Sequence, residues 1–226
     1  MRHSSTLALL LLVGTPCVFA ASLSFTGTFA QDNDLQTVNL NLPVDMRLEA
    51  WTLSYAGGTN LAGAPIAAGG FAPALALFDA AGNLLAVDTL GGTVPTCYGR
   101  SIDTSGTGFC LDARLLDSNH PSLDLPAGDY TLVLTQQGNI PLGLTLADGF
   151  SNDAANGNDP SFTGTNAGQP GSQFLDPGDF SQRTSAWALD VQTTVLTPEP
   201  ATGFLAAAAI AALSRLRRTQ STTEKH

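Results

Sequence analysis

The chain is expected to be all-β: a single antiparallel β-sandwich, jelly-roll-like, with an N-terminal signal helix and a C-terminal hydrophobic helix at its ends. Three observations carry this expectation. Short runs of alternating apolar and polar residues recur through residues 23–195. Clusters of Gly, Pro, Asn and Asp separate those runs. No apolar pattern of helical period runs for a convincing length before residue 201. Alternation marks a strand with one buried face, and many such strands with turns between them suit two packed sheets.

The elements follow in chain order. Leu23, Phe25, Gly27 and Phe29 alternate with Ser24, Thr26 and Thr28 in the first strand. Val38, Leu40 and Leu42 alternate with Asn39 and Asn41, and Met46, Leu48 and Ala50 alternate with Arg47 and Glu49. The phase then flips, with Trp51, Leu53 and Tyr55 in the apolar positions. A flip inside one run suggests a β-bulge or a strand that changes sheets. Leu75–Asp79 and Leu84–Asp88 flank Ala80-Ala81-Gly82-Asn83, a hairpin-like turn. Pro126-Ala127-Gly128-Asp129 is a second turn and launches Tyr130, Leu132 and Leu134. Trp187, Leu189 and Val191 alternate with Ala188 and Asp190 in the last strand. Residues 148–183 read as a long polar loop in which Phe150, Phe162, Phe174 and Phe180 recur. Two accounts fit it: a surface loop pinned by its phenylalanines, or a binding loop offering aromatic rings to a glycan.

The two ends read differently from the body. Arg2 and His3 precede the apolar run Leu7–Val13, Gly14 and Pro16 break it, and Val18-Phe19-Ala20 puts small residues at the cleavage positions. This is a secretory signal peptide over residues 1–20, cut between Ala20 and Ala21 after passage through the Sec translocon. At the other end, Pro198-Glu199-Pro200 cannot sit inside a helix or a central strand. The apolar run Ala201–Leu213 follows, then Arg215, Arg217 and Arg218. As a helix the run is about 20 Å long, short against a hydrocarbon core of roughly 30 Å. Snorkelling arginine stems allow a thin or tilted span, with the arginines and residues 219–226 on the cytoplasmic side as a disordered tail.

Residues 198–218 resemble the PEP-CTERM sorting signal of Gram-negative bacteria: tripeptide, apolar stretch and basic stop in that order. The resemblance implies that an exosortase recognises Pro198, Glu199 and Pro200 and removes the tail. It also implies transient anchoring in the inner membrane, then release or attachment at the cell surface, often beside exopolysaccharide.

The body, residues 21–197, holds four arginines, no lysine and seventeen aspartates or glutamates, a formal net charge of −13. That charge disfavours nucleic acid and anionic lipid as partners. Cys97 and Cys110 lie in a Gly/Ser/Thr-rich stretch without metal-type spacing, so a disulfide is expected in an oxidising compartment. Closing so short a loop stabilises by about 3 kcal/mol at most.

Asp32-Asn33-Asp34 lies in the turn after the first strand, and Asp79 closes another strand. Such turn oxygens make Asp32, Asp34 and Asp79 candidate ligands for a structural calcium. Turn formation alone explains the same residues. Asn152-Asp153 and Asn156-Gly157-Asn158-Asp159 form a second acidic loop.

Catalysis is not expected. His120 is the only histidine of the body, Glu49 its only glutamate, and neither a Gly-x-Ser-x-Gly elbow nor a phosphate-loop lysine is present.

A second resemblance covers most of residues 23–195. Phe25-Thr26-Gly27-Thr28-Phe29, Asp32-Asn33-Asp34, Leu77–Leu84 and Leu125–Leu132 resemble the bacterial pre-peptidase C-terminal type of β-sandwich. Trp51–Asn60, Gly69-Gly70-Phe71 and Trp187-Ala188-Leu189-Asp190 resemble secreted proteins that often carry PEP-CTERM tails. Together these lead to an exported, non-catalytic surface or matrix protein associated with extracellular polysaccharide. The alternative is a secreted hydrolase or lyase acting on such a polymer, which would need two carboxylates facing each other across a cleft.

Overall fold

The computed structural model describes residues 21–89, 111–115, 123–152, 162–163 and 172–196. The signal helix, Cys97 and Cys110, His120, the tripeptide, the apolar run and the three arginines after it lie outside the described residues. By its contacts the chain divides into two units, Met1–Val195 and Leu196–His226. Among the described residues no helix is long and apolar enough to cross a membrane.

The described part is all-β. Its strands are β1 (Ala21–Thr28), β2 (Gln36–Leu42), β3 (Met46–Thr52), β4 (Gly58–Thr59), β5 (Pro65–Ile66), β6 (Pro73–Asp79), β7 (Leu84–Asp88), β8 (Arg114–Leu115), β9 (Asp124–Leu125), β10 (Gly128–Gln136) and β11 (Ala186–Val195). One sheet runs β1-β11-β3-β8, with β9 also paired to β3. A second runs β2-β10-β6-β7, and β4 and β5 form a small hairpin. Every strand pair is antiparallel.

Side chains from both large sheets share one core. It holds Val38, Leu40 and Leu42 of β2, Leu75 and Leu77 of β6, and Tyr130, Leu132 and Leu134 of β10. From the other sheet come Met46, Leu48 and Ala50 of β3 and Trp187, Leu189 and Val191 of β11. These are the alternating positions of the sequence, because a strand's side chains project to opposite faces with a period of two. β1 lies at the edge of its sheet, and there Phe25 is half-buried while Leu23 is 42% exposed.

The phase flip after Ala50 has a different cause from the one expected. β3 keeps an unbroken register with β11 from Val195↔Met46 to Leu189↔Thr52, so it neither bulges nor changes sheet there. Trp51 and Leu53 instead pack with Ala188 and Ile66, on the face away from the main core. Both faces of β3 are buried at that end, so apolar residues occupy both phases. The register shift of the described sheets falls instead between Leu77 and Phe78, where β6 meets β7.

The two turns form where the sequence places them. Asp79 Oδ1 accepts the amides of Ala81 and Asn83, and Gly82 takes φ +82°, a left-handed conformation that glycine adopts at least cost. Residues 126–127 join β9 in one sheet to β10 in the other. The Tyr130 hydroxyl donates 2.8 Å back to the Pro126 carbonyl and Asp45 accepts the Ala127 amide, which fixes that corner.

Three of the four loop phenylalanines are pins. Phe150 packs on Phe78, Ala76 and Val133, covering the far face of the second sheet. Phe162 and Phe174 are buried as well, whereas Phe180 is 55% exposed.

Candidate functional site

Phe180 stands at the rim of a cleft of about 260 Å3 beyond the end of β10. Gln136, Gln137, Gly138, Phe162, Thr163 and Asp176 form most of its polar and aromatic lining. Gln136 and Gln137 leave β10 through a tight turn in which Gln136 Oε1 accepts the Gly138 amide at 2.7 Å. Phe162 lies against Gly138 so closely that an added Cβ would stand 2.6 Å from its ring. Gly138 is therefore fixed by packing rather than by backbone angle.

One buried carboxylate assembles the far wall. Asp32 is fully buried and accepts the amide of Thr163 at 3.0 Å, the Thr163 hydroxyl, and the amide of Phe174 at 2.6 Å. It thus ties two distant stretches of the loop to the turn after β1. Phe174 has φ +54°, an uncommon conformation for a bulky residue, and its ring packs 5.5 Å from that of Phe71.

A second buried carboxylate holds the rim. Asp176 Oδ2 accepts the Tyr55 hydroxyl at 2.5 Å and Oδ1 accepts the Gly178 amide at 2.8 Å. The Asp176 carbonyl accepts the Phe180 amide, and the Asp176 amide donates to the Ser181 carbonyl. Arg183 lies over the Tyr55 ring at 3.6 Å, donates to the carbonyls of Gly70 and Tyr55, and approaches Asp176 at 3.8 Å. Phe180, at φ +58°, is held by these bonds with its ring turned outward.

Burial pushes the Tyr55 hydroxyl well above its ordinary value of 10.0, and the hydrogen bond to Asp176 adds to the effect. The folded protein therefore keeps Tyr55 protonated at a pH where the unfolded chain ionises it. This contribution to stability is complete below about pH 10 and is lost as pH rises further. Tyr55→Phe should lower stability at neutral pH by about 1–3 kcal/mol, because Asp176 loses a donor. The same change should flatten the alkaline decline of the melting temperature. Tyr130, whose hydroxyl is also pushed up by burial, supplies the residual slope. A variant with the wild-type decline above pH 10 would contradict the assignment.

The three calcium candidates each accept backbone amides. Asp34 accepts the amides of Ala30 and Gln31, Asp79 accepts those of Ala81 and Asn83, and Asp32 binds Thr163 and Phe174. Hydrogen bonding to Asn83 holds the Asp79 carboxyl below its ordinary value. Among the described residues no group of three His, Cys, Asp or Glu side chains is placed to hold a metal ion. Ala21 is the first residue of β1, opposite Thr193, while Ala20 and the other sorting and disulfide residues lie outside the described residues.

A second hollow of about 340 Å3 lies beside Thr26, Ser54, Ile66 and Trp187. Its aromatic residue is buried, and Ser54 Oγ already accepts the Ala188 amide at 3.1 Å. The Phe180 cleft differs in its aromatic residue. Its ring is exposed, whereas both hollows hold a buried polar atom without a hydrogen-bond partner among the described residues, Gln137 Oε1 here and Trp187 Nε1 in the other.

Sequence reasoning singled out Phe162 and Phe180 but missed Gln136, Gln137, Thr163 and Asp176. The run Asp176-Pro177-Gly178-Asp179 was the available signal for a built turn beneath Phe180. Compared with known protein families, curated proteins and solved structures, the chain has no match in any of the three.

Proposed function

We propose that the chain is an exported, exosortase-processed cell-surface or extracellular-matrix protein. Its body is a non-catalytic β-sandwich, made by the two large sheets over their shared core, that associates with extracellular polysaccharide. The observation that carries this reading is the ordered tail pattern, Pro198-Glu199-Pro200 followed by the apolar run Ala201–Leu213 and then Arg215, Arg217 and Arg218, with the apolar leader at the other end. The first described strand begins at Ala21, its neighbour β11 ends at Val195, and the two are paired. All of the described strands thus lie between the two expected cuts.

A binding role suits the use of the buried carboxylates. Asp112 accepts the amides of Tyr55 and Ala56, and Asp190 accepts the Leu61 amide and the Ser24 hydroxyl. Like Asp32 and Asp176, they anchor loops onto the sheets.

Glu199→Ala tests the processing. The variant is expected to keep its apolar tail and to collect in the inner-membrane fraction. A variant that reaches the medium at the wild-type mass would overturn the exosortase reading.

A further inference from the structure

We infer that the Phe180 cleft is a subsite for one uncharged sugar ring of a glycan, with Phe180 as its stacking platform and Gln137 Oε1 as an acceptor for a ring hydroxyl. The inference rests on the polysaccharide reading above and assigns it a place on the surface.

The first support is the backbone of Phe180. A bulky residue at φ +58° costs on the order of 1–3 kcal/mol, and glycine would avoid that cost. The strain persists because the Phe180 amide bonds Asp176, Asp176 bonds Gly178 and Ser181, and Tyr55 fixes Asp176. The result is a phenyl ring 55% exposed on a rigid base. A ring that served packing would be turned inward, as those of Phe162 and Phe174 are.

The second support is independent of the ring. Gln137 Oε1 is buried without a partner among the described residues, and a buried acceptor left unpaired costs about 1–3 kcal/mol. Gln137 as a residue is only half-buried and lines the cleft, so a turn of its terminal amide brings this oxygen to a hydroxyl of a bound molecule, which would satisfy it.

The lining then sets the chemistry of the occupant. Among the described residues the polar side chains at the cleft are two amides, one hydroxyl and one carboxylate, and no cation lines it. The net charge of −13 over the body further disfavours phosphate, sulfate or uronate groups. An occupant with an apolar face and hydroxyl edges fits, which is the chemistry of a pyranose. The volume of about 260 Å3 falls near the roughly 300 Å3 lower end of ligand pockets, so it takes one ring of a chain rather than a large molecule.

The test uses the protein secreted into the medium, as wild type, Phe180→Gly and Gln137→Leu. Each is run through native gels containing soluble β-glucan, galactomannan or, as the anionic control, alginate. Wild type should be retarded by a neutral glycan and not by alginate. Phe180→Gly should weaken the retardation about tenfold or more while leaving the melting temperature unchanged or raised. Gln137→Leu, which removes the acceptor and keeps the bulk, should weaken it about fivefold. Retardation unchanged in Phe180→Gly would overturn the subsite. So would binding to alginate alone, or a melting temperature that falls with the binding.

Fractionation of the culture separates this failure from failure of the broader reading. Wild type and Phe180→Gly both recovered with the polysaccharide layer would place the contact elsewhere and sink the subsite only. Wild type absent from that layer would sink both.

Discussion

Asp32→Ala should destabilise the protein by about 3–5 kcal/mol, the cost of leaving several buried donors without their acceptor. The carboxylate is fully buried and receives the amides of Thr163 and Phe174 and the Thr163 hydroxyl. Alanine removes all of these acceptor sites at once. The Phe174 amide suffers most, because its φ of +54° is sustained by the structure around it. Asp32→Asn keeps one acceptor oxygen and should cost about half as much. Denaturant titration gives the size of the loss. Limited proteolysis gives its place, with cleavage expected first between residues 150 and 185. A loss below about 1 kcal/mol for Asp32→Ala would mean that the loop is not tied down by this carboxylate.

Phe71→Ala should cost a similar amount, about 4 kcal/mol, by a different route. Phe71 is fully buried, stacks 5.1 Å from Phe29 and packs 5.5 Å from Phe174. Truncation removes its transfer free energy and leaves a cavity, for which aromatic core residues show about 3–5 kcal/mol. Collapse into the gap is hindered by Gly70, where an added Cβ would meet the carbonyls of Ala186 and Ser54 at 2.3 and 2.4 Å. In a domain of this length the loss should lower the melting temperature by about 10 °C. Phe71 holds the ring of Phe174 and Asp32 holds its amide. The double variant should therefore be less destabilised than the two single losses added together, by more than about 0.5 kcal/mol. Strict additivity would show that the two contacts are independent.

The strands legible in the sequence are those with one wet face. β2 shows buried Val38, Leu40 and Leu42 between exposed Thr37, Asn39 and Asn41, and the alternation states its orientation outright. β10 and β11 were legible from Tyr130, Leu132 and Leu134 and from Trp187, Leu189 and Val191. Where both faces are covered the pattern misleads. The end of β3 looked like a bulge because Trp51 and Leu53 pack beyond the core that Leu48 and Ala50 enter. The two-residue strands β4, β5, β8 and β9 are too short to carry any alternation. β8 and β9 pair with a strand far away in the chain, as with Arg47 opposite Asp124, while β4 and β5 pair only with each other.

The candidate site was half legible. Phe180 stood out as an aromatic residue in a long polar stretch, and Asp32 as an acidic turn residue. What Asp32 does depends on Thr163 and Phe174, more than 130 residues away, and no local pattern reports that. The exposure of Phe180 against the burial of Phe162 and Phe174 is likewise a tertiary fact. All four loop phenylalanines look alike in the sequence, and only the bonds beneath Phe180 turn it outward.

The intact mass of the protein recovered from the medium tests most directly the claim that the chain is export cargo trimmed at both ends. The expected species begins at Ala21 and lacks the apolar run Ala201–Leu213 with everything after it, while Glu199→Ala retains that tail in the membrane fraction. A secreted species that still carries residues 1–20, or that runs intact to His226, would contradict the claim.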